Sequence, residues 1–299
     1  MRMTSWLAVA LLMGCSSTDD GAPGGGSVAV GSGGDPTSGS GAAGASSGTA
    51  AGGSGAASGS GGSGGDGGPR QNLLVETTAE GAGWSAGWDT VSQVNDNGYA
   101  LEQSGERARV GASSIRFELR SSDPIVSSSV RTEMTQPDSG DTEQMERWYG
   151  LSYYLVDWGS DTGGESILQW HDVDGTCPPL AIQIYGAEMS LTRCIEGANS
   201  PYPIGVVQSN EWLDIVIRVV WRTDDSGHLQ LWRNGTKVVD EPGIRTQSTG
   251  GSYLKVGMNK WSWAPGGGTS NQTERIFFID EIRIGNENAR LHDVTPGDY

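Results

Sequence analysis

Tyr253-Leu254-Lys255-Val256-Gly257-Met258-Asn259 places Leu254, Val256 and Met258 on one side of an extended chain and Tyr253, Lys255 and Asn259 on the other. Successive side chains of a strand point to opposite faces, so the heptapeptide predicts a strand with one core face and one polar face. Two further segments repeat the pattern. Ile167-Leu168-Gln169-Trp170-His171 aligns Gln169 with His171 against Leu168 and Trp170, and Arg131-Thr132-Glu133 aligns a cation with a carboxylate. Three such strands side by side would build one polar sheet surface.

Apolar alternation continues through residues 71–299 without a long 3.6-residue period, which predicts an all-β chain of a length suited to one sandwich domain. Leu213, Ile215, Ile217, Val219 and Trp221 form one set. Leu229 and Leu231 lead into Asn234-Gly235, a type I′ hairpin signal, and then Val238. Ile276, Phe278, Ile282 and Ile284 share parity with Asp280, which therefore needs a partner or a bend in its strand. If Cys177 faces Cys194 across a hairpin, Leu180 meets Leu191 and Ile182 meets Met189 on one face. Ala181 then meets Ser190 and Gln183 meets Glu188 on the other. This separation of apolar from polar predicts a Cys177–Cys194 disulfide; a zinc site would need a spacing and a histidine that the pair lacks.

The chain has 299 residues with 48 Gly and a net charge of −17, but the composition is uneven. Residues 16–70 are nearly all Gly, Ser, Ala, Thr and Asp, too polar to bury a core, and read as a disordered linker with an r.m.s. span of about 40 Å. Arg2 followed by the apolar run Trp6 to Met13 is an export signal too short to span a bilayer. The domains expected are thus a signal peptide at 1–14, Cys15 with the linker at 15–70, and a folded domain at 71–299. The strong acidity excludes nucleic acid as a natural partner and opposes polyanionic ligands unless a basic cleft is built locally.

In order along the chain, Gln169-Trp170-His171, Pro178-Pro179-Leu180, Trp212-Leu213-Asp214-Ile215-Val216, Leu231-Trp232-Arg233-Asn234-Gly235 and Tyr253-Leu254-Lys255-Val256-Gly257 resemble the heparin lyase I-like and glucuronan lyase families. More distantly, Arg131-Thr132-Glu133, Gln-x-His and Tyr-x-Lys-x-Gly resemble alginate lyases of polysaccharide lyase family 7. The resemblance implies a concanavalin A-like β-jelly roll whose concave sheet holds a glucuronan- or alginate-like polysaccharide. It also implies β-elimination, with His171 as base, Arg131 and Gln169 neutralising the uronate carboxylate, and no required cofactor. Glu133, Tyr185, Tyr253, Lys255, Asn259 and Trp261 would line the substrate. Leu12-Met13-Gly14-Cys15 resembles the bacterial lipobox, which implies lipidation of Cys15, and Ser16 favours the outer membrane; the alternative is ordinary cleavage and secretion.

The sequence departs from the resemblance at one position. The tyrosine expected six residues after Tyr253 is Asn259, which cannot transfer a proton. Three readings stay open: Tyr185 or Tyr253 substitutes, His171 works with water, or the domain binds glycan without cutting it. A glycoside hydrolase ranks behind these, for want of two closely spaced carboxylates on one strand face. Arg131 and Glu133 read equally well as only a same-face ion pair, contributing little if exposed, and Lys255 as a solubilising residue. Trp261 and Trp263 flank Ser262 as candidates either for sugar stacking or for core. Calcium is left open on Asp157, Asp161, Asp172 and Asp174, which follow no regular calcium-loop spacing. A monomer is expected, touching the membrane only through its lipid.

Overall fold

The computed structural model describes residues 70–91, 98–136, 145–172, 177–248 and 251–297. The expected signal peptide, Cys15, the linker up to residue 69 and Asp174 lie outside them. In chain order the strands are β1 (Leu73–Thr77), β2 (Asp89–Val91), β3 (Leu101–Ser104), β4 (Ser114–Arg120), β5 (Val130–Thr135), β6 (Glu146–Leu155), β7 (Asp161–Asp172), β8 (Leu180–Gly186), β9 (Glu188–Ile195), β10 (Ala198–Val206), β11 (Trp212–Val220), β12 (Gly227–Arg233), β13 (Thr236–Ile244), β14 (Ser252–Lys260) and β15 (Glu274–Gly285), followed by the single-turn helix α1 (Leu291–Val294).

They form two antiparallel sheets of a jelly-roll sandwich. One runs β13-β12-β11-β6-β15-β4-β3, with β1 also on β15; the other runs β10-β9-β8-β7-β14-β5-β2. The apolar faces predicted for β7, β11 and β14 meet between the sheets: Leu168, Trp170, Leu213, Ile215, Leu254, Val256 and Met258 are all buried in one core. Aromatic rings interlock there, Phe117 on Phe277 with centroids 4.8 Å apart and Tyr149 edge-on to Trp170 at 4.8 Å.

Several details differ from the sequence reading. Leu180 pairs with Arg193 and Tyr185 with Glu188, so the β8–β9 register is two residues from the one assumed, and Gly186-Ala187 make the turn. The faces survive because a slip of two preserves parity. Cys177 therefore sits outside the ladder, yet still closes the disulfide to Cys194, with Cα atoms 6.1 Å apart. A bulge between Leu231 and Trp232 turns Val239 inward and leaves Val238 exposed. Trp232, of opposite parity to Leu229 and Leu231, packs with Val216 and Val294 in a second, smaller apolar cluster.

On β15 the core residues are Phe277 and Ile279, then Ile282 and Ile284, because the register shifts at Asp280 and Glu281 takes φ 56°. Asp280 both bends the strand and finds partners, accepting the backbone N–H of Arg109, Val110 and Glu281. Burial still pushes its carboxyl up to about 6. Arg70 is tied to the domain through the carbonyls of Thr295 and Gly297, at 2.6 and 2.7 Å.

Gly257 holds the middle of β14 at φ 138°, where a Cβ would lie 2.3 Å from the Thr132 carbonyl oxygen and 3.1 Å from the Phe117 ring. Both backbone conformation and space demand glycine. Gly257→Ala should lower stability by about 2–4 kcal/mol in chemical denaturation; a loss below about 0.5 kcal/mol would show that β14 can shift away from β5 at no cost.

Candidate active site

Three adjacent strands assemble the polar face. Along β14, Tyr253 pairs with His171 and Lys255 with Gln169 on β7, while Gly257 pairs with Glu133 and Asn259 with Arg131 on β5. Beyond β7, Ser166 pairs with Gln183 on β8, whose parity also brings Tyr185 to this face. The sequence-predicted residues Arg131, Glu133, Gln169, His171, Tyr253, Lys255 and Asn259 are thus brought together. Tyr185 and Trp261 are neighbours of each other, with ring centroids 5.7 Å apart, further along the same face.

Glu133 is the hub. It is 2% exposed and accepts a hydrogen bond from Gln169 Nε2 at 2.5 Å. Arg131 Nη1 lies 3.6 Å and Lys255 Nζ 3.7 Å from its other oxygen. Gly257, its register partner, puts no side chain between Glu133 and β7. Arg131 and Glu133 form the same-face ion pair, and it is buried rather than exposed, Arg131 being only 9% exposed. Arg131 is further fixed by donating to Ser129 Oγ at 2.8 Å and to the Ser127 carbonyl at 2.9 Å.

His171 stacks on Tyr253 with centroids 5.2 Å apart. Its Nδ1 is 2.7 Å from the Asp172 carbonyl oxygen, an acceptor, so Nδ1 carries the proton and Nε2 of the neutral ring keeps its lone pair. Burial, followed by the charge of Lys255, lowers the imidazole pKa below its ordinary 6.5. Burial and then the Glu133 charge raise Tyr253 above its ordinary 10.0. Lys255 is lowered by burial, against the pull of Glu133, and its ammonium lies 5.5 Å from the Tyr253 ring centroid. At neutral pH the face therefore offers a free base, a protonated phenol, an ammonium and a primary amide side by side. Lys255 is part of that group and not merely solubilising.

Asn259 carries a buried side-chain oxygen without a hydrogen-bond partner. Trp261 and Trp263 divide in role: the Trp263 indole N–H donates to Ser270 Oγ at 3.1 Å and to the Gln272 carbonyl at 2.9 Å, whereas Trp261 stays half-exposed beside Tyr185. The sequence reading missed Lys260, fully buried between Asp161 and Glu165 with Arg275 3.1 Å from Glu165. Lys260 has the core parity of Leu254, Val256 and Met258, and a lysine at such a position signals buried acidic partners. Of the aspartates named for calcium, Asp161 is paired with Lys260, and Asp157 accepts from Asn210 at 2.7 Å. Among the described residues no group of three or more His, Cys, Asp or Glu is placed to hold a metal ion.

Comparison with known proteins agrees with this architecture. Among solved structures, an endo-β-1,4-glucuronan lyase from the fungus Trichoderma reesei aligns with a TM-score of 0.64 at 20% identity, covering 76% of this chain and 100% of its own. The cellulose-induced protein Cip1 aligns at 0.50 and 12% identity, covering 71% and 96%. The alginate lyase AlgAT5 of polysaccharide lyase family 7 aligns at 0.49 and 14%, covering 67% and 88%. At such identities the first two likenesses establish the fold. No curated protein matches the sequence. Residues 80–283 match the polysaccharide lyase family, and the chain, whose fold and motif order agree with that match, belongs to it.

Proposed function

We propose that this polysaccharide lyase cleaves a uronate-containing polymer by β-elimination, with His171 as base and Tyr253 as acid. The observation that carries the reading is the ring contact between these two groups, whose proton affinities burial drives in opposite directions. His171 Nε2 takes the proton on uronate carbon 5. The electron pair left behind forms the C4–C5 double bond, the C4–O4 bond breaks, and the Tyr253 hydroxyl protonates O4. Transfer of the proton from imidazolium to phenolate then restores both groups.

The carbon acid needs its carboxylate neutralised as enolate charge grows. Lys255 and Gln169 flank His171 and suit that task; the charge of Lys255 acts on His171 more strongly than that of Arg131. Arg131, locked to Ser127, Ser129 and Glu133, suits the carboxylate of a neighbouring sugar. An acid and a base in contact on one sheet face serve a syn elimination, in which H5 and O4 leave the same side of the ring. That geometry occurs in glucuronate and mannuronate, whereas guluronate requires anti departure. The acidic chain opposes approach of heavily sulfated polymers, which further favours a glucuronan- or mannuronate-type substrate. Leu12-Met13-Gly14-Cys15 and Ser16 support export and a lipid anchor at Cys15 in the outer membrane, with the linker giving reach to a monomeric domain at the cell surface.

Absorbance of the unsaturated uronate tests the reaction. The full chain incubated with glucuronan, polymannuronate, polyguluronate, hyaluronan and heparin should release the chromophore from one of the first two. His171→Ala and Tyr253→Phe should each lower the rate about 100-fold or more while leaving the fold intact. Reducing ends without the chromophore would make the protein a hydrolase, and glycan binding with neither product would make it a binding module in which Asn259 marks the loss of chemistry.

The pH profile tests the hub. Activity should rise through a His171 pKa below 6.5 and fall as Lys255 loses its proton below 10.5. The Glu133 charge raises both values, so Glu133→Gln should move both limbs toward lower pH as well as reducing the maximum. A reduced but unshifted profile would mean that Glu133 only supports the fold.

A further inference from the structure

We infer that Tyr185 and Trp261 form a sugar-stacking subsite separate from the catalytic cluster, which makes the enzyme a reader of chain length. The inference rests on the lyase reading above for the identity of the ligand, but not for the existence of the platform.

Tyr185 is 38% exposed, among the few large apolar side chains left open, and its ring lies against the half-exposed indole of Trp261 at an interplanar angle of 56°. Both rings sit over Gly164, the register partner of Tyr185, where a Cβ would fall 2.4 Å from Tyr185 and 2.5 Å from Trp261. A glycine here is therefore a condition of the platform. Next door, a Cβ on Gly163 would lie 2.4 Å from Ser262 Oγ, so the turn carrying Trp261 also depends on bare backbone beneath it. The turn is anchored on its N-terminal side by Lys260, buried between Asp161 and Glu165, and on its C-terminal side by the Trp263 indole bonds to Ser270 and Gln272. A half-exposed indole held by this much buried scaffolding is preorganised.

The platform shares its face with the catalytic groups but not their location. Gly164 precedes His171 by seven positions on β7, about 23 Å of strand path at roughly 3.3 Å per residue. The intervening surface is polar, carrying Ser166, Gln183 and the unpartnered Asn259 oxygen. A pyranose with all ring substituents equatorial, as in β-linked glucuronate, presents a flat C–H face that packs on an aromatic ring. Burial pushes the Tyr185 hydroxyl up to about 12, so it stays a hydrogen-bond donor to sugar oxygens. A polymer long enough to occupy both places would gain contact that a short oligosaccharide processed at His171 cannot reach.

Binding to the His171→Ala full chain tests this whether or not the wild type turns out to be a lyase. Calorimetry with polymeric glucuronan and with its dimer and longer oligomers should show affinity stepping up once the oligomer spans both places. Adding Trp261→Ala or Tyr185→Ser should weaken polymer binding about tenfold and abolish the step, leaving the dimer unchanged; Trp261→Phe should recover most of it. In the otherwise wild-type enzyme, the same substitutions should raise KM for polymer and spare kcat. Equal losses for dimer and polymer, no loss for either, or no binding of glucuronan at all by the folded His171→Ala chain would each overturn the inference. Absence of the unsaturated product in the wild type with the affinity step intact would overturn the lyase reading alone.

Discussion

A carboxylate taken out of water must be met by cations or donors, and Glu133 imposes that constraint on the whole polar face. Its partners come from three strands: Arg131 on β5, Lys255 on β14 and Gln169 on β7. None could be displaced without leaving either a buried anion short of compensation or a cation without its counter-charge. The cluster therefore fixes side chains that an open sheet face would let wander, and fixes them beside His171 and Tyr253. The same charge moderates the desolvation of its neighbours. Lys255 is lowered by burial yet supported by Glu133, which keeps an ammonium available next to an imidazole that burial holds neutral.

β14 carries a lysine to each side of its sheet. Lys255 shares the polar face of Glu133, and Lys260, of opposite parity, faces the core. The inner lysine joins Asp161 and Glu165 on β7 and, through them, Arg275 on β15 in the opposite sheet. The cations also contact rings, Lys260 at 5.6 Å from the Trp263 centroid and Arg275 at 4.4 Å from Trp158. A buried ionic cluster gives less stability than an apolar one of equal volume, but it tolerates few alternative arrangements. Its location under the turn that bears Trp261 links the geometry of the sandwich to the Tyr185–Trp261 end of the polar face.

Much of this was legible in sequence wherever parity alone decided. The core faces of β7, β11 and β14 follow from alternation, and so does the grouping of Gln169 with His171 and of Tyr253 with Lys255. The disulfide also follows, although by an argument whose register was two residues out, because segregation of apolar from polar positions cannot distinguish slips of two. What parity misses is the bulge. At Trp232 and Asp280 one extra residue reverses the facing of everything beyond it, and neither bulge has a distinctive sequence signal. Partnerships across the fold were equally hidden: Lys260 finds Asp161 and Glu165 at separations of 99 and 95 residues, and Glu133 finds Gln169 at 36. Residue types show that such charges need partners, but only the sheet order supplies them.

Asn259 bears most directly on chemistry. It occupies the position at which the resemblance leads one to expect the proton-donating tyrosine, and it lies beside Arg131, on the far side of the Glu133 cluster from Tyr253. A carboxamide neither gives nor takes a proton near neutrality, so any acid must come from elsewhere on the face. Tyr253 is the tyrosine whose ring meets His171, and it is held protonated by the same burial that keeps His171 free. Tyr253 and His171 are adjacent side chains on neighbouring strands, whereas Asn259 lies three positions along the same face of β14 from Tyr253. The buried Asn259 oxygen lacks a protein donor, and an unmet buried acceptor is costly, so protein packing alone does not account for the residue at position 259.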